Sequence, residues 1–354
     1  MRAVVYQGAR QVSVENVDDP TIEAPTDVVA RVRLSSICGS DLYLYRGEAG
    51  DLAIPGRTSL GHELAGEVVE VGSNVSRFRV GDRITVPYSI SCGTCFFCRA
   101  GQTAHCETTG KAIYGFGVGF GDMGGTQAEY VRIPLADAHA EPVPESITDE
   151  QALFLSCNLP AAVHAVSEVP LTGSSSVAVL GCGPTGLLAV QLLLRRGPAQ
   201  LIALDEDPAR LQQAEKLGAH PVSTSDGDPV EAVKELTSGR GVDAVVEFVG
   251  RGPAFTTAVG ITRPGGTISG GGVYLEQDHP VSLFTMYLNN LRIQLNGFSN
   301  ARTALWDALR LIETSAVDPT ALVTHRLPLG DAAEAYRLFD THDDGALKQV
   351  LQVP

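Results

Sequence analysis

From Ser175 onward the chain alternates short apolar runs with helical ones, and the first run ends in glycines: SVAVLGCGPTG, residues 176–186. Gly181, Gly183 and Gly186 form G-x-G-x-x-G between a predicted buried strand and the predicted helix PTGLLAVQLLLRR. Alone, that triplet is a weak signal; a strand before it, a helix after it and an acidic residue closing the next strand make it strong. Asp205 closes AQLIALD, nineteen residues beyond Gly186. The alternation continues through PARLQQAEKLGA, VEAVKELTS, VDAVVEFVG and GTISGGG, which predicts a parallel, doubly wound α/β sheet. Glycines in that turn, with Pro184 and Thr185, let backbone amides approach a pyrophosphate at a helix N-terminus. Asp205 is expected to accept from both ribose hydroxyls, and a 2′-phosphate would sit against it and the adjacent Glu206 and Asp207. The expected cofactor is NAD and not NADP. Cys182, between the glycines, reads as a small packing residue.

The preceding half reads differently. Residues 1 to about 150 carry short alternating runs broken by Gly and Pro, among them 28–34, 63–71 and 83–86, as a compact β-rich domain requires. A length of 354 residues exceeds the usual single core, so two domains are expected, divided near residue 150. Beyond about Asn300, TALWDALRLIE and GALKQVLQV are expected to return to the first domain. The spacing of YGFGVGFGDMGG, residues 114–125, suggests a mobile loop. A formal net charge of −15 and no Lys/Arg-rich run argue against nucleic acid and anionic membrane as partners. No apolar run approaches eighteen residues, and the first residues alternate like a strand, so a cytoplasmic protein is expected.

The β-rich half contains CGTCFFCRAGQTAHC, which places Cys92, Cys95, Cys98 and Cys106 at C-x2-C-x2-C-x7-C. Four soft ligands so close suit a tetrahedral zinc, and Gly93 and Gly101 help the chain turn around it. Four thiolates leave no position for water or substrate, so this site is expected to be structural. Two disulfides, an iron–sulfur cluster or unused thiols are the alternatives, and His105 is a conceivable substitute ligand.

Cys38 in SSICGSDLY, His62 in SLGHELAGE and Cys157 in LFLSCNLPAAVHA are not linked by spacing. Taken with the cysteine loop and the glycine turn, however, these segments follow one another as in the zinc-dependent medium-chain alcohol dehydrogenases, and the resemblance covers almost the whole chain. It implies a GroES-like catalytic domain over 1–150, completed by 299–354, and a Rossmann NAD-binding domain over 151–298. It further implies two zinc ions per chain, the catalytic one held by Cys38, His62 and Cys157. Two thiolates cancel the charge of the ion, so an alcohol deprotonated there leaves a net charge of about −1 that favours hydride departure. By the same resemblance Glu63 sits behind the metal and Ser40 takes the alcohol proton, and Ser40 could cap the helix starting at DLYLY, alone or together with that role. Tyr43 departs from the many relatives with His at the outer end of that relay, and a phenol accepts protons poorly at neutral pH. Arg210 matches a basic residue that contacts the adenosine ribose, Lys348 could reach the cofactor phosphates, and RIQLNGF, residues 292–298, is similar to the edge that pairs subunits into dimers or tetramers.

The expected activity is hydride transfer between NAD and a secondary alcohol or polyol, or its carbonyl partner. Ser at position 40 in place of a bulkier Thr mildly favours secondary alcohols. GGTQAEYVRIPLAD, residues 124–137, resembles the glutathione-independent formaldehyde dehydrogenases, so oxidation of an aldehyde is the competing activity. A non-catalytic zinc- and dinucleotide-binding protein, and the zinc-free quinone reductases of the same scaffold, predict an absent or incomplete open site, whereas Cys38, His62 and Cys157 are all present. The histidines at 139, 164, 220, 279, 325 and 342 read as ordinary polar residues.

Overall fold

The computed structural model describes residues 1–50, 54–56, 59–276 and 278–354. The chain divides into two compact units, Met1–Pro160 with Asn300–Pro354, and Ala161–Ser299. The first begins with an antiparallel pair, β1 (Arg2–Gly8) and β2 (Gln11–Asn16). It continues with β3 (Val28–Ser36), β4 (Leu64–Val71), β5 (Arg83–Thr85), β6 (Tyr130–Ile133) and β7 (Glu141–Pro142). The second unit contributes β8 (Ser176–Leu180), β9 (Gln200–Asp205), β10 (His220–Ser223), β11 (Val242–Glu247), β12 (Thr262–Gly270) and β13 (Arg292–Leu295). The chain then re-enters the first unit with β14 (His325–Pro328) and β15 (Gln349–Gln352).

In the first unit the sheet runs β14-β15-β3-β4-β5-β7, with β6 also paired to β3. Strand β3 shows the period-2 logic: Val28, Ala30 and Val32 enter a core with Val68 and Ile84, while Arg31 turns outward. Two antiparallel pairings bring distant segments together. Ser35 lies opposite Leu64, so the residues just after β3 and just before β4 meet at one end of the sheet. Val350 lies opposite Ser36 on the other flank of β3, which delivers the C-terminal strand to the same end.

The second unit is a six-stranded parallel sheet in the order β10-β9-β8-β11-β12-β13. Its interior strands SVAVL, QLIALD and VDAVVE are buried over nearly their whole length, as expected when helices cover both faces of a parallel sheet. The order reverses between β8 and β11, and ligands of such sheets bind at the carboxyl ends of strands at that switch point. The edge strand β13 is exposed at every residue.

Candidate active site and metal centres

The four-cysteine loop folds as two short turns around one point. The sulfurs of Cys92, Cys95, Cys98 and Cys106 all lie within 4.8 Å of one another, with Cys92–Cys98 and Cys95–Cys106 at 4.0 Å. A tetrahedral ion with sulfurs at about 2.3 Å requires ligand edges of about 3.8 Å, so the loop fits a zinc ion. Gly93 and Gly101, at φ +73° and +79°, make the left-handed turns that this path needs. The backbone N–H of Cys95 and the hydroxyl of Thr108 donate to the Cys92 sulfur at 3.3 and 3.2 Å. Such donors stabilise thiolate, and against the opposing effect of burial they lower the Cys92 thiol to about 5. His105 stands outside this ligand group.

A second cluster lies where β3 and β4 meet, with donor atoms of Cys38, His62, Glu63 and Cys157 within 4.8 Å of one another. Cys38 follows β3, while His62 and Glu63 immediately precede β4, so the strand pairing supplies three of the four. Cys157 is brought in by Ser156, whose hydroxyl accepts from the Leu64 N–H at 2.9 Å. The Cys38 and Cys157 sulfurs stand 4.0 Å apart. The hydrogen bond they share is the main reason that Cys38 is held below, and Cys157 above, the ordinary thiol range. Gly61, at φ +91°, makes the turn before His62, and a Cβ there would meet the Gln127 side chain at 2.4 Å.

The imidazole is oriented from behind. Asp41 Oδ1 lies 3.0 Å from His62 Nδ1, and Asp41 Oδ2 accepts from the Cys38 N–H at 2.9 Å. Burial opposes an imidazolium there, yet Asp41 lifts His62 well above its usual range. With Nδ1 committed to Asp41, Nε2 is left to ligate a metal. Ser40 Oγ lies 3.5 Å from that same Nε2. Although Ser40 occupies the N-cap position of the helix Asp41–Tyr45, its side chain makes no capping bond, so the capping expectation is corrected: the hydroxyl faces the histidine. Tyr43 is buried in that short helix. Phe116 and Tyr88 approach the His62 ring edge-on, with centroids 5.6 and 6.1 Å away.

Asp41, Asn158 and Lys348 also belong to this site, which the sequence alone does not show. Asn158 Nδ2 donates to the Cys38 sulfur at 3.6 Å, and its position beside Cys157 was the available signal. The expectation that Lys348 reaches cofactor phosphates is corrected. Its side chain is fully buried in the first unit, where Nζ donates to Glu63 Oε2 at 2.5 Å and to the Ile37 carbonyl at 3.2 Å. The reading of 114–125 as mobile is corrected at its ends: Cβ atoms at Gly115 and Gly125 would meet backbone of residues 60–61 at 2.5 and 2.1 Å, so both glycines are fixed by close packing.

In the second unit Gly181 has φ +92°, and a Cβ on Gly186 would lie 1.8 Å from the Gly181 carbonyl oxygen. Only glycine allows the helix Pro184–Arg195 to start so close to the turn. Asp205, at the end of β9, accepts from the N–H groups of Cys182 and Asp207 at 2.6 and 2.9 Å. Its carboxylate is thereby locked to the glycine turn. Arg210 Nε lies 3.8 Å from Asp207, which caps the helix Pro208–Leu217. The Cys182 sulfur is buried and donates to the Leu204 carbonyl at 3.6 Å.

Comparison with known proteins places this geometry. The family model described as alcohol dehydrogenase GroES-like domain matches residues 24–145, and the one described as zinc-binding dehydrogenase matches residues 184–314. The zinc-type alcohol dehydrogenase B of Aspergillus flavus is 37% identical over 350 residues, which cover 96% of this chain and 79% of that protein. The solved structure of alcohol dehydrogenase TADH from Thermus sp. ATN1 superposes with a TM-score of 0.92 at 35% identity, covering 100% of both chains. That of 2R,3R-butanediol dehydrogenase from Bacillus subtilis does so with 0.80 at 26% identity, covering 99% of each. A cluster of two cysteines and one histidine and a dinucleotide turn thus occur in a chain matched along nearly its whole length, and the protein belongs to the zinc-dependent medium-chain dehydrogenase/reductase family as an alcohol or polyol oxidoreductase.

Proposed function

We propose that the protein transfers a hydride between NAD and a secondary alcohol or polyol, or the corresponding ketone, at the cluster of Cys38, His62 and Cys157. The observation that carries this reading is the Ser40 hydroxyl, set 3.5 Å from His62 Nε2, the imidazole nitrogen turned away from Asp41. Two further features support a metal at this point. The Glu63 Oε1 atom is buried with no hydrogen-bond partner among the described residues, and the Cys38–Cys157 separation of 4.0 Å matches a tetrahedral edge. When bound there, zinc supplies the Lewis acidity that acidifies an alcohol or polarises a carbonyl.

The chain's own groups do the rest. Asp41 fixes the tautomer and direction of His62. Asn158 donates to the Cys38 sulfur and tempers its charge. Ser40 accepts the substrate's hydroxyl proton and hands it outward, with Tyr43 as the outer member of the relay. Phe116 and Tyr88 give the site apolar walls. Gly181, Gly183, Pro184, Thr185 and Gly186 receive the pyrophosphate, Arg210 contacts the ribose, and Asp205 selects NAD because its locked carboxylate repels a 2′-phosphate.

The segment 124–137 fits a role that is independent of substrate: Thr126 Oγ1 donates to the Glu63 carbonyl at 2.8 Å and Gln127 Nε2 to the Ser36 carbonyl at 3.0 Å. The alcohol reading leads over the aldehyde one because the similar proteins are named alcohol, sorbitol and butanediol dehydrogenases. The exposed edge strand β13, with Ile293 and Leu295, and the neighbouring exposed Leu283, Phe284, Tyr287 and Leu288 support a homodimer or homotetramer. Seven free cysteines, six of them grouped as ligands, suit a reducing cytoplasm, and no described helix is long and apolar enough to cross a membrane.

A screen of NADH formation on metal-replete protein across secondary alcohols, polyols and aldehydes tests the reading. Turnover of a secondary alcohol or polyol with NAD is expected, and Asp205→Ala should lose preference for NAD over NADP. Activity confined to aldehydes, or a wild-type preference for NADP, would overturn it.

A further inference from the structure

Lys348 is the buried cation that the proposed chemistry leaves unused. Its side chain and that of Glu63 are both fully buried. Burying an ammonium ion is costly unless its charge and its donors are met. Three groups meet them here: Glu63 Oε2 at 2.5 Å, the Ile37 carbonyl at 3.2 Å, and the Phe154 ring, whose centroid is 5.6 Å from Nζ. The pairing of β15 with β3 fixes this position, because Ile37 N–H also donates to the Gln349 carbonyl at 3.2 Å. Ser36 Oγ donates to the same carboxylate oxygen.

The two oxygens of Glu63 are thus treated differently. Oε2 is gripped by Lys348 and Ser36, whereas Oε1 is buried with no partner among the described residues, in a carboxylate that lies within ligand distance of Cys38, His62 and Cys157. A divalent ion, two thiolates, Glu63 and Lys348 sum to zero charge. Without the ammonium the same buried set carries −1, and the metal becomes the nearest electrophile left to Glu63.

We propose that Lys348 is a positioning residue of the metal centre: by holding Glu63 through Oε2, it keeps that carboxylate from filling the coordination position that substrate must take. This rests on the reading of Cys38, His62 and Cys157 as the open metal site. The role is distinct from contact with cofactor phosphates, which a fully buried ammonium group does not reach.

The test uses full-length protein with cobalt(II) in the catalytic site and imidazole as a monodentate probe, its binding read from the visible ligand-field bands. Lys348→Met should weaken imidazole binding at least about tenfold, because Glu63 then competes for the same position, and should alter the cobalt spectrum before any probe is added. Removing the competing carboxylate should undo this, so the double variant Glu63→Gln/Lys348→Met should bind imidazole within about twofold of Glu63→Gln alone. Should Lys348→Met not fold, a double variant that does fold and binds imidazole as Glu63→Gln does would show that the loss runs through Glu63, and a double variant that also fails to fold would overturn the proposal. A Lys348→Met spectrum and affinity equal to wild type, or a loss that persists in the double variant, would overturn the proposal. A wild-type chain that binds only one metal would instead sink the functional reading beneath it.

Discussion

Two side chains of the helix Asp41–Tyr45 each carry a separable task. Asp41 acts on the metal only through the imidazole, 3.0 Å away, and Asp41→Asn should therefore weaken zinc at the Cys38 cluster about 10- to 100-fold while the four-cysteine zinc stays bound, as a chelator competition with two metal-release phases would show. Tyr43 is a weak proton acceptor at neutral pH, so Tyr43→His is expected to raise turnover near pH 7 and shift the rise of the pH–rate profile downward. An unchanged profile would remove Tyr43 from the relay. Of these groups, Cys38, His62 and Cys157 are recognisable in the sequence only through their resemblance to a family, because no spacing rule joins them. Asp41 stands three residues past Cys38 yet reads as an ordinary first-turn acid. Lys348 lies 285 residues from Glu63, and nothing local marks it.

At the scale of elements, legibility follows from how local the cause is. The Cys92–Cys106 loop closes within fifteen residues, and the glycine turn with its flanking strand and helix is one continuous segment, so both are readable from spacing alone. The Cys38 cluster requires β3 to pair with β4 and Ser156 to bond Leu64, a meeting of segments from three regions of the chain that periodicity does not specify. The 114–125 stretch is a similar case: its glycines look like hinges until Gly115 and Gly125 are seen against residues 60–61. Close approach also gives the sharpest element-level prediction. A methyl on Gly186 would stand 1.8 Å from the Gly181 oxygen, so Gly186→Ala must push the helix Pro184–Arg195 off the turn. Loss of NADH binding by fluorescence titration, with both zinc ions retained, is expected; unchanged affinity would contradict the assigned pyrophosphate site.

Over the whole molecule, stability and metal content should follow from the same buried groups. His139 is fully buried, with Nε2 2.9 Å from the Tyr114 hydroxyl, and burial pushes its pKa down to about 4. The unfolded chain, near 6.5, binds the proton first, so this group's contribution is complete above pH 6.5 and declines as pH falls toward 4, by up to about 3 kcal/mol. The stability difference between wild type and His139→Gln, from urea unfolding, should therefore shrink between pH 6.5 and 4.5; a pH-independent difference would mean that His139 is not buried in its neutral form. The incompletely coordinated cluster should hold one of two zinc ions, and the zinc content of wild type and Cys38→Ser, measured per chain by elemental analysis, checks this. Two ions in the wild type and one in the variant are predicted. One ion in the wild type, or two in the variant, would contradict the account.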